Sequence, residues 1–323
     1  MEFFRGVNVN WLGYKWYFLA FSMIFSVAGI IKMTINWQQT GSPVPLSVDF
    51  RGGTEVEVQF QQPANIPAIR QATEAAGIKD ARIQTYGDPS LHTVLISLPE
   101  QSNENSLDAG RQAIEDALRT HYNNYFNPDT GVKVDVVGPT VGKQLESQAF
   151  RAVLYSMAGM LVYLWFRFQL IYGVAAVVAC FHDTLITVGA FALTGREISL
   201  TVIAAILTLV GYSMNDTIVV FDRIRENLRL TRREPLADLV NRSINQTLSR
   251  TVLTSGLTFI TVLSLFIFGG EVLNGFSFAL VVGIIIGTYS SIAVAAPMLV
   301  AWQQYRVGKG QSASLPAARR AKG

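Results

Sequence analysis

Six long apolar stretches dominate the pattern of hydrophobic and polar positions along the chain. They lie at about 16–35, 149–166, 170–192, 198–221, 252–269 and 275–302. A helix needs about 20 mostly apolar residues to cross a bilayer hydrocarbon core of roughly 30 Å. No soluble core needs six stretches of that length. The pattern therefore predicts a polytopic α-helical membrane protein with six transmembrane helices.

The first stretch also fits a signal peptide, because Lys15 precedes it as a positive residue precedes a secretory signal. Its apolar run is long for a signal, however, and no pattern of small residues closes it as a cleavage site would. We therefore expect an uncleaved first helix over 16–36, after an N-terminal segment, 1–15.

The segment 37–148 has short, mixed periodicities instead of a long apolar run. Alternation over 48–59 places Thr54, Val56 and Val58 on one face of a strand. Further strands are predicted at 81–86, 92–98 and 132–137, and helices at 66–76 and 107–122. The order β-α-β-β-α-β predicts a ferredoxin-like α+β domain, a fold that by itself indicates no function.

The remaining segments complete the predicted organisation. Residues 149–302 form a five-helix membrane bundle with a loop at 222–251, and 303–323 form a tail that we expect to be disordered. Within the loop, the apolar residues of 236–248 share one helical face. That pattern predicts an amphipathic helix lying on the membrane surface.

Composition agrees with a membrane protein and excludes several other classes. Hydrophobic residues make up 50% of the chain and charged residues 15%, whereas an ordinary soluble domain has about 25% charged residues. One cysteine excludes a disulfide scaffold and a multi-cysteine zinc site, and three separated histidines argue against a histidine metal cage. We expect no metal ion and no catalytic residue.

The Lys and Arg residues predict the orientation in the membrane. They concentrate before the first stretch, between the second and third, in the 222–251 loop and in the tail, all on one side of a six-span layout. Short loops rich in Lys and Arg stay in the cytoplasm. Both termini are therefore expected in the cytoplasm and 37–148 outside it. Attraction to the lipid bilayer explains the basic clusters without nucleic-acid binding.

Asp216 lies inside a predicted membrane helix, where a charge costs about 2.5–3.5 kcal/mol and indicates function. It shares a helix face with Ser213 and Thr217, and Asn215 precedes it. Arg250, at the start of the fifth stretch, is the expected counter-charge. An aspartate that pairs with arginine when ionised and releases it when protonated would act as a proton relay. A static buried ion pair is the alternative.

Asp183 is the second aspartate inside a predicted membrane helix, and His182 precedes it. Two interpretations stay open for this pair, a proton-binding site and a structural polar seam. The possible secondary polar site comprises Asp183, His182, Ser213, Asn215 and Thr217.

Two glycine motifs flank the predicted outer domain. Their defining residues are Asp49, Gly52, Gly53, Gly138, Pro139 and Gly142. The spacing of the second motif is not that of a phosphate-binding loop, so we interpret it as a stiff tether. In the sixth stretch, small residues recur at every fourth position, Gly283 and Gly287 among them. This column predicts close packing between helices.

The motifs together resemble one family. They lie at 49–54, 137–142, 182–183, 211–220, 222–227 and 246–251. In this order they resemble the SecF family, the accessory subunits of the bacterial protein-export translocase. The resemblance extends from about residue 10 to 302, and the six-span layout agrees with it.

The resemblance implies half of a transporter of the resistance-nodulation-division (RND) type. Such a subunit pairs with SecD and works with the SecYEG channel and a YajC-type subunit in the bacterial cytoplasmic (inner) membrane. Protons moving down their gradient would promote late steps in the export of unfolded preproteins, with no cofactor. In the family, the residues matching Asp216 and Arg250 form the proton relay.

Two other functions remain as alternatives. An RND-type half-transporter for a small molecule or lipid fits the composition, although a small outer domain and a single six-helix half argue against a complete exporter. An intramembrane aspartyl protease would use Asp183 and Asp216, but the two are expected at different depths. We find no nucleotide-binding loop and expect a transport subunit, not an enzyme.

Overall fold

Long helices make up most of the structure. The computed structural model describes residues 8–78, 81–85, 89–99, 107–122, 132–168, 170–231 and 234–309. The helices are α1 (Lys15–Thr40), α2 (Val48–Arg51), α3 (Ile66–Ala75), α4 (Leu107–His121), α5 (Pro139–Arg167), α6 (Leu170–Thr194), α7 (Leu200–Leu230), α8 (Leu236–Phe268), α9 (Gly270–Ser290) and α10 (Ala296–Gly308). The strands are β1 (Gly53–Gln59), β2 (Arg82–Thr85), β3 (Thr93–Pro99) and β4 (Val132–Val137).

Six helical segments of this part of the chain are long and apolar enough to span a membrane. Five are α1, α5, α6, α7 and α8, and the sixth is Val272–Gly308. The expected six-helix membrane architecture is confirmed. The apolar sides of α1, α5 and α8 are mostly exposed, whereas α6, α7 and the sixth segment are at least half buried. The inner three therefore form the centre of the bundle.

The outer domain lies between α1 and α5 and has the predicted ferredoxin-like topology. Its sheet has the order β2-β3-β1-β4 with antiparallel neighbours. Val56 of β1 pairs with Ile96 on one side and Val134 on the other. The helices α3 and α4 cover one face and bury Ile69 and Ile114 completely. The predicted alternation in β1 therefore directs its apolar residues into this core.

The first predicted strand begins later than its alternation indicated. Residues 48–51 form the helical turn α2, and the strand starts at Gly53. Gly52 and Gly53 have φ angles of 75° and 135°, which other residues rarely adopt. These two glycines therefore separate the turn from the strand. The prediction of one strand over 48–59 was wrong for its first residues.

The segment 222–251 is not a loop. Helix α7 continues to Leu230 and α8 begins at Leu236, so most of the segment is helical. The amphipathic stretch 236–248 is the first part of α8, and its Leu239, Val240 and Ile244 are fully buried in the bundle core. The predicted surface helix is therefore wrong. An apolar face contacts other helices as readily as a lipid surface, and the pattern alone does not distinguish the two.

Two further domain boundaries differ from the predicted ones. Helix α5 starts at Pro139, so the last ten residues assigned to 37–148 belong to the second membrane helix. Helix α10 continues to Gly308, so 303–308 of the predicted disordered tail are helical. The rest of that tail, from 310, and 1–7 of the N-terminal segment lie outside the described residues.

The sixth membrane segment contains a π-helical turn, Ser291–Ala295, between α9 and α10. Pro297 follows this turn at the start of α10 and has no backbone N–H to continue regular α-helical hydrogen bonding. A π turn is one way in which a helix accommodates such a break. The turn begins directly after Ser290, a residue of the buried polar site.

Candidate functional site: two buried aspartates in the helix bundle

Asp183 lies in the middle of α6 and is 1% exposed. Its Oδ2 accepts hydrogen bonds from Ser213 Oγ of α7 at 2.5 Å and Ser290 Oγ of α9 at 2.7 Å. The other oxygen, Oδ1, lies 3.0 Å from Nδ1 of His182. Three helices thus meet at one carboxylate.

Small residues bring those helices together. A Cβ atom added at Gly287 would lie 3.0 Å from the Ser213 Cβ, and one at Gly283 would lie 2.4 Å from Leu209. Helix α9 therefore contacts α7 at the predicted small residues. Since Ser290 follows Gly287 by about one turn, the close contact places its hydroxyl beside Asp183.

Asp216 lies one turn after Ser213 on α7 and is 2% exposed. Its Oδ2 accepts a hydrogen bond of 2.7 Å from Ser255 Oγ of α8. Thr217 donates to the backbone oxygen of Ser213 within the helix and does not contact the carboxylate. The structure therefore places Asp216 at the contact between α7 and α8, separate from the Asp183 cluster.

Arg250 is exposed and forms no ion pair with Asp216 within 4 Å in the described ranges. It is close enough for its charge to act on the Asp216 carboxylate. The direct pair expected from the sequence is thus absent, and so is the static ion pair considered as its alternative.

Arg250 lines an open cleft of about 670 Å³ at the ends of α5, α7 and α8. Asn215 also lines it, so this residue faces the cleft and not the Asp183 site with which it was grouped. The cleft also contains Asp222, Arg223 and Glu226. The cleft therefore places several charged side chains along the helices that carry Asp216 and Arg250.

The two glycine motifs meet where the outer domain joins the bundle. Asp49 Oδ2 accepts a hydrogen bond of 2.9 Å from the backbone N–H of Leu200, the first residue of α7. Gly138 precedes α5 at its N-terminus, and a Cβ at Gly142 would lie 2.6 Å from the Phe50 backbone oxygen. The second motif is therefore part of a helix packed on the first motif, and not a separate tether.

The sequence interpretation missed the serines that bond the two carboxylates. Ser255 belongs to a column of hydroxyl residues on α8, with Thr247 and Thr251 at intervals of four, all buried. That column is a signal that could have identified it. Ser290 sits next to Ser291 of the predicted small-residue column, and only the packing of α9 shows which of the two contacts Asp183.

Other residues, on the side of the bundle opposite the outer domain, were also missed. Asn245 Oδ1 accepts from the backbone N–H of Val9 and from Trp11 Nε1, and Asn241 Oδ1 accepts from the N–H of Leu12. These bonds attach the N-terminal segment to α8. Within the described residues no group of three or more His, Cys, Asp or Glu side chains could hold a metal ion.

Family models match most of the chain. The model described as Protein export membrane protein SecD/SecF, C-terminal, matches residues 118–305. The model described as SecD/SecF GG Motif matches residues 40–64, which include Asp49, Gly52 and Gly53. Together the two matches cover the elements that build the junction, and the first also covers both aspartate sites.

Individual relatives agree with the family models. Protein translocase subunit SecF of Koribacter versatilis is 53% identical, and the alignment covers 98% of this chain and 96% of that protein. The subunit of the same name from Desulfurispirillum indicum is 43% identical, with 93% of each chain covered.

Solved structures extend the comparison to the fold. The crystal structure of SecDF, a translocon-associated membrane protein, from Thermus thermophilus has a TM-score of 0.79 at 37% identity. The match covers 93% of this chain and 39% of that one, so this chain spans about two fifths of the SecDF chain. The RND-type half-transporter fold is therefore confirmed. With family models, near full-length relatives and fold in agreement, the chain belongs to the SecF family of protein translocase subunits.

Proposed function

We propose that this chain is the SecF subunit of a bacterial preprotein translocase and uses the proton gradient to promote late steps of protein export. It would pair with SecD, and work with the SecYEG channel and a YajC-type subunit on unfolded preproteins. It would lie in the cytoplasmic (inner) membrane with both termini in the cytoplasm. The names of its relatives and its coverage of only part of SecDF support a partner that supplies the rest.

The observation that carries the proposal is the buried Asp216 carboxylate, which accepts a hydrogen bond from Ser255 and lies near Arg250 without an ion pair to it among the described residues. Protons are the proposed coupling ion, and no cofactor is needed. When Asp216 is ionised, its charge attracts Arg250. When it is protonated, the attraction ends, and α7 and α8 change their mutual position. One elementary charge crossing 100 mV supplies about 2.3 kcal/mol. That energy biases a two-state rearrangement by roughly fiftyfold.

The outer domain is the part that would act on the exported chain. Asp49 links the start of this domain to α7, the helix that carries Asp216. A shift of α7 would therefore be transmitted to the domain. The strands β2 and β4 form the edges of its sheet. An extended segment of preprotein can add to such an edge through backbone hydrogen bonds.

The test is export of a precursor into membrane vesicles with and without a proton gradient. We compare the wild type with Asp216→Asn, which keeps the shape of the side chain and cannot ionise. The expected result is loss of the gradient-dependent part of export, while the variant still inserts and co-purifies with SecD. Arg250→Gln should have the same effect, and Arg250→Lys should retain part of the dependence.

Asp238→Asn provides a matched control, because Asp238 is an exposed aspartate in the first turn of α8. This variant should behave as the wild type. If Asp216→Asn retained full gradient dependence, the relay at Asp216 would be rejected. An RND-type half-transporter for a small molecule or lipid would then be the function to examine.

A further inference from the structure

The charged and titratable groups near the Asp183 carboxylate differ from those near Asp216. The only cationic or titratable nitrogen that contacts the Asp183 carboxylate among the described residues is Nδ1 of His182. The second ring nitrogen, Nε2, is buried and has no hydrogen-bond partner in the same part of the chain. Asp216 has the permanently charged Arg250 nearby. The contacts of Asp183 described above include no Arg or Lys.

The pair can therefore reach electrical neutrality only by holding a proton. An ionised Asp183 beside a neutral imidazole leaves a negative charge at membrane depth, which is costly. One additional proton removes that charge, on Asp183 as a neutral acid or on His182 as imidazolium. In either form the hydrogen bond between Oδ1 and Nδ1 can persist.

The neighbouring helices add few other titratable groups. Helix α6 carries Cys180 about one turn before Asp183, α7 carries Asp216 one turn after Ser213, and α9 carries Tyr289 next to Ser290. Helices α1 and α5, which also pack against α6, place no described Asp, Glu, Lys or Arg within 4 Å of the pair. His182 and Asp183 are therefore the main groups that could bind or release a proton at this depth.

The position of the pair relates it to Asp216. Leu200, at the start of α7, bonds to Asp49 at the outer domain, so the N-terminal end of α7 is the outer end. Ser213, which donates to Asp183, precedes Asp216 by three residues, or about 4.5 Å along the helix. The Asp183 carboxylate is thus held about one turn outward of Asp216.

We propose that His182 and Asp183 form a second proton-binding site, one helical turn outward of Asp216, which holds a proton on its way from the outer side. This inference rests on the proposed function of Asp216. When the proton moves within the pair, the O–H bond at Oδ1 breaks as the N–H bond at Nδ1 forms. The charge left on Asp183 is balanced by the imidazolium. Ser213 and Ser290 keep the carboxylate in place during the transfer.

The test is nuclear magnetic resonance of the full chain in lipid vesicles, with ¹⁵N-labelled histidine and ¹³C-labelled aspartate. The chain has three histidines, and His182→Gln identifies the signal of His182 among them. Across a series of pH values, we expect the ring nitrogens of His182 and the carboxyl carbon of Asp183 together to report uptake of one proton by the pair. This measurement needs only the wild-type fold.

Two variants then separate a proton-binding role from a structural one. Asp183→Asn removes the carboxylate and should change how the ring-nitrogen signals of His182 depend on pH. Thr187→Val is the matched control, because Thr187 donates to the backbone oxygen of Asp183 and not to its carboxylate. It should leave the titration unchanged. The proposal would be overturned by constant signals of both residues in the wild type, or by the same pH dependence of the His182 signals in Asp183→Asn as in the wild type.

Export in vesicles distinguishes this proposal from the previous one. We expect Asp183→Asn to lose gradient-dependent export, as Asp216→Asn does. Full gradient dependence in Asp183→Asn, with loss in Asp216→Asn, would reject the second site alone. Full dependence in Asp216→Asn would reject the relay at Asp216, and the resonance titration would still decide whether the pair at Asp183 binds a proton.

Discussion

The two buried aspartates of the bundle differ in how completely their carboxylates are bonded. Asp183 contacts Ser213, Ser290 and His182. Asp216 accepts one hydrogen bond from the described residues, that of Ser255, and its charged neighbour Arg250 is exposed in a cleft. A carboxylate with several partners is costly to displace, whereas one with a single partner can exchange it more easily.

This difference separates two ways in which a membrane helix bundle accommodates a carboxylate. At Asp183 the contacting nitrogen belongs to a histidine, so under the proposed second site the charge would be balanced within the pair. At Asp216 the nearby charge is the permanent one of Arg250, and under the proposed function a change in protonation would alter the force between two helices. We therefore expect Asp183 to be the more important residue for stability and Asp216 the more important one for movement.

The largest effect on stability is expected for Asp183→Ala. The change leaves two serine hydroxyls and a histidine without their acceptor and should destabilise the fold by about 3–5 kcal/mol. Asp216→Ala removes the acceptor of one hydroxyl and should cost about 1–3 kcal/mol. Thermal unfolding of the full chain in lipid measures both. Equal losses, or a larger loss for Asp216→Ala, would contradict the comparison.

An intermediate effect is expected for Gly287→Leu. The added side chain meets Ser213 at the contact of α9 with α7 and should cost about 1–3 kcal/mol. It should also separate Ser290 from Asp183 and alter the His182 resonances, while the Ser255–Asp216 bond remains. Gly256→Leu is the control, since a Cβ at Gly256 has no neighbour within 4 Å. Both variants are compared by thermal unfolding and by the His182 signals.

A smaller effect on stability is expected for Asp49→Ala, at the outer end of the helix that serves both sites. The change leaves the N–H of Leu200 without its carboxylate acceptor and should cost about 0.5–2 kcal/mol. Asp49→Asn keeps an acceptor oxygen and should lose less. In vesicles, Asp49→Ala should lower gradient-dependent export more than its stability loss predicts, because the link between domain and α7 is weakened. An export rate equal to that of the wild type would argue against transmission through this contact.

The smallest stability change, about 1 kcal/mol, is expected for serine-to-alanine changes at the two sites. Ser290→Ala leaves Asp183 with Ser213 and His182, whereas Ser255→Ala removes the hydrogen bond that holds Asp216. Despite similar stabilities, Ser255→Ala should change the gradient dependence of export more than Ser290→Ala. A reversed order would show that Asp183 is the more mobile site.

Much of the fold could be predicted from local patterns. The six apolar stretches correspond to membrane helices, and alternation in 53–59 corresponds to β1. The prediction of a surface helix over 236–248 was wrong, because an apolar helix face does not show whether it contacts lipid or other helices. Leu239, Val240 and Ile244 pack inside the protein, although the same pattern fits a helix on a membrane surface.

The candidate site was predicted less completely. The cost of a charge in a membrane is a local property, and it identified Asp183 and Asp216. Which hydroxyl bonds to which carboxylate depends on how closely two helices approach, and that depends on their packing. Ser290 contacts Asp183 because the absence of a side chain at Gly287 lets α7 and α9 approach closely, and Ser255, not Arg250, bonds to Asp216.

The sequence by itself determined that this is a six-helix membrane protein with a ferredoxin-like outer domain and two buried carboxylates. Those features depend on the periodicity of apolar residues and on the free energy of transferring apolar and charged groups out of water. Both can be read from short segments of sequence. Only the tertiary structure decided that the two glycine motifs touch, that α7 joins the outer domain to Asp216, and that His182 is the counter-group of Asp183. The first two are contacts between segments distant in the chain, and the third depends on the rotamers of two adjacent side chains. Close packing determines all three.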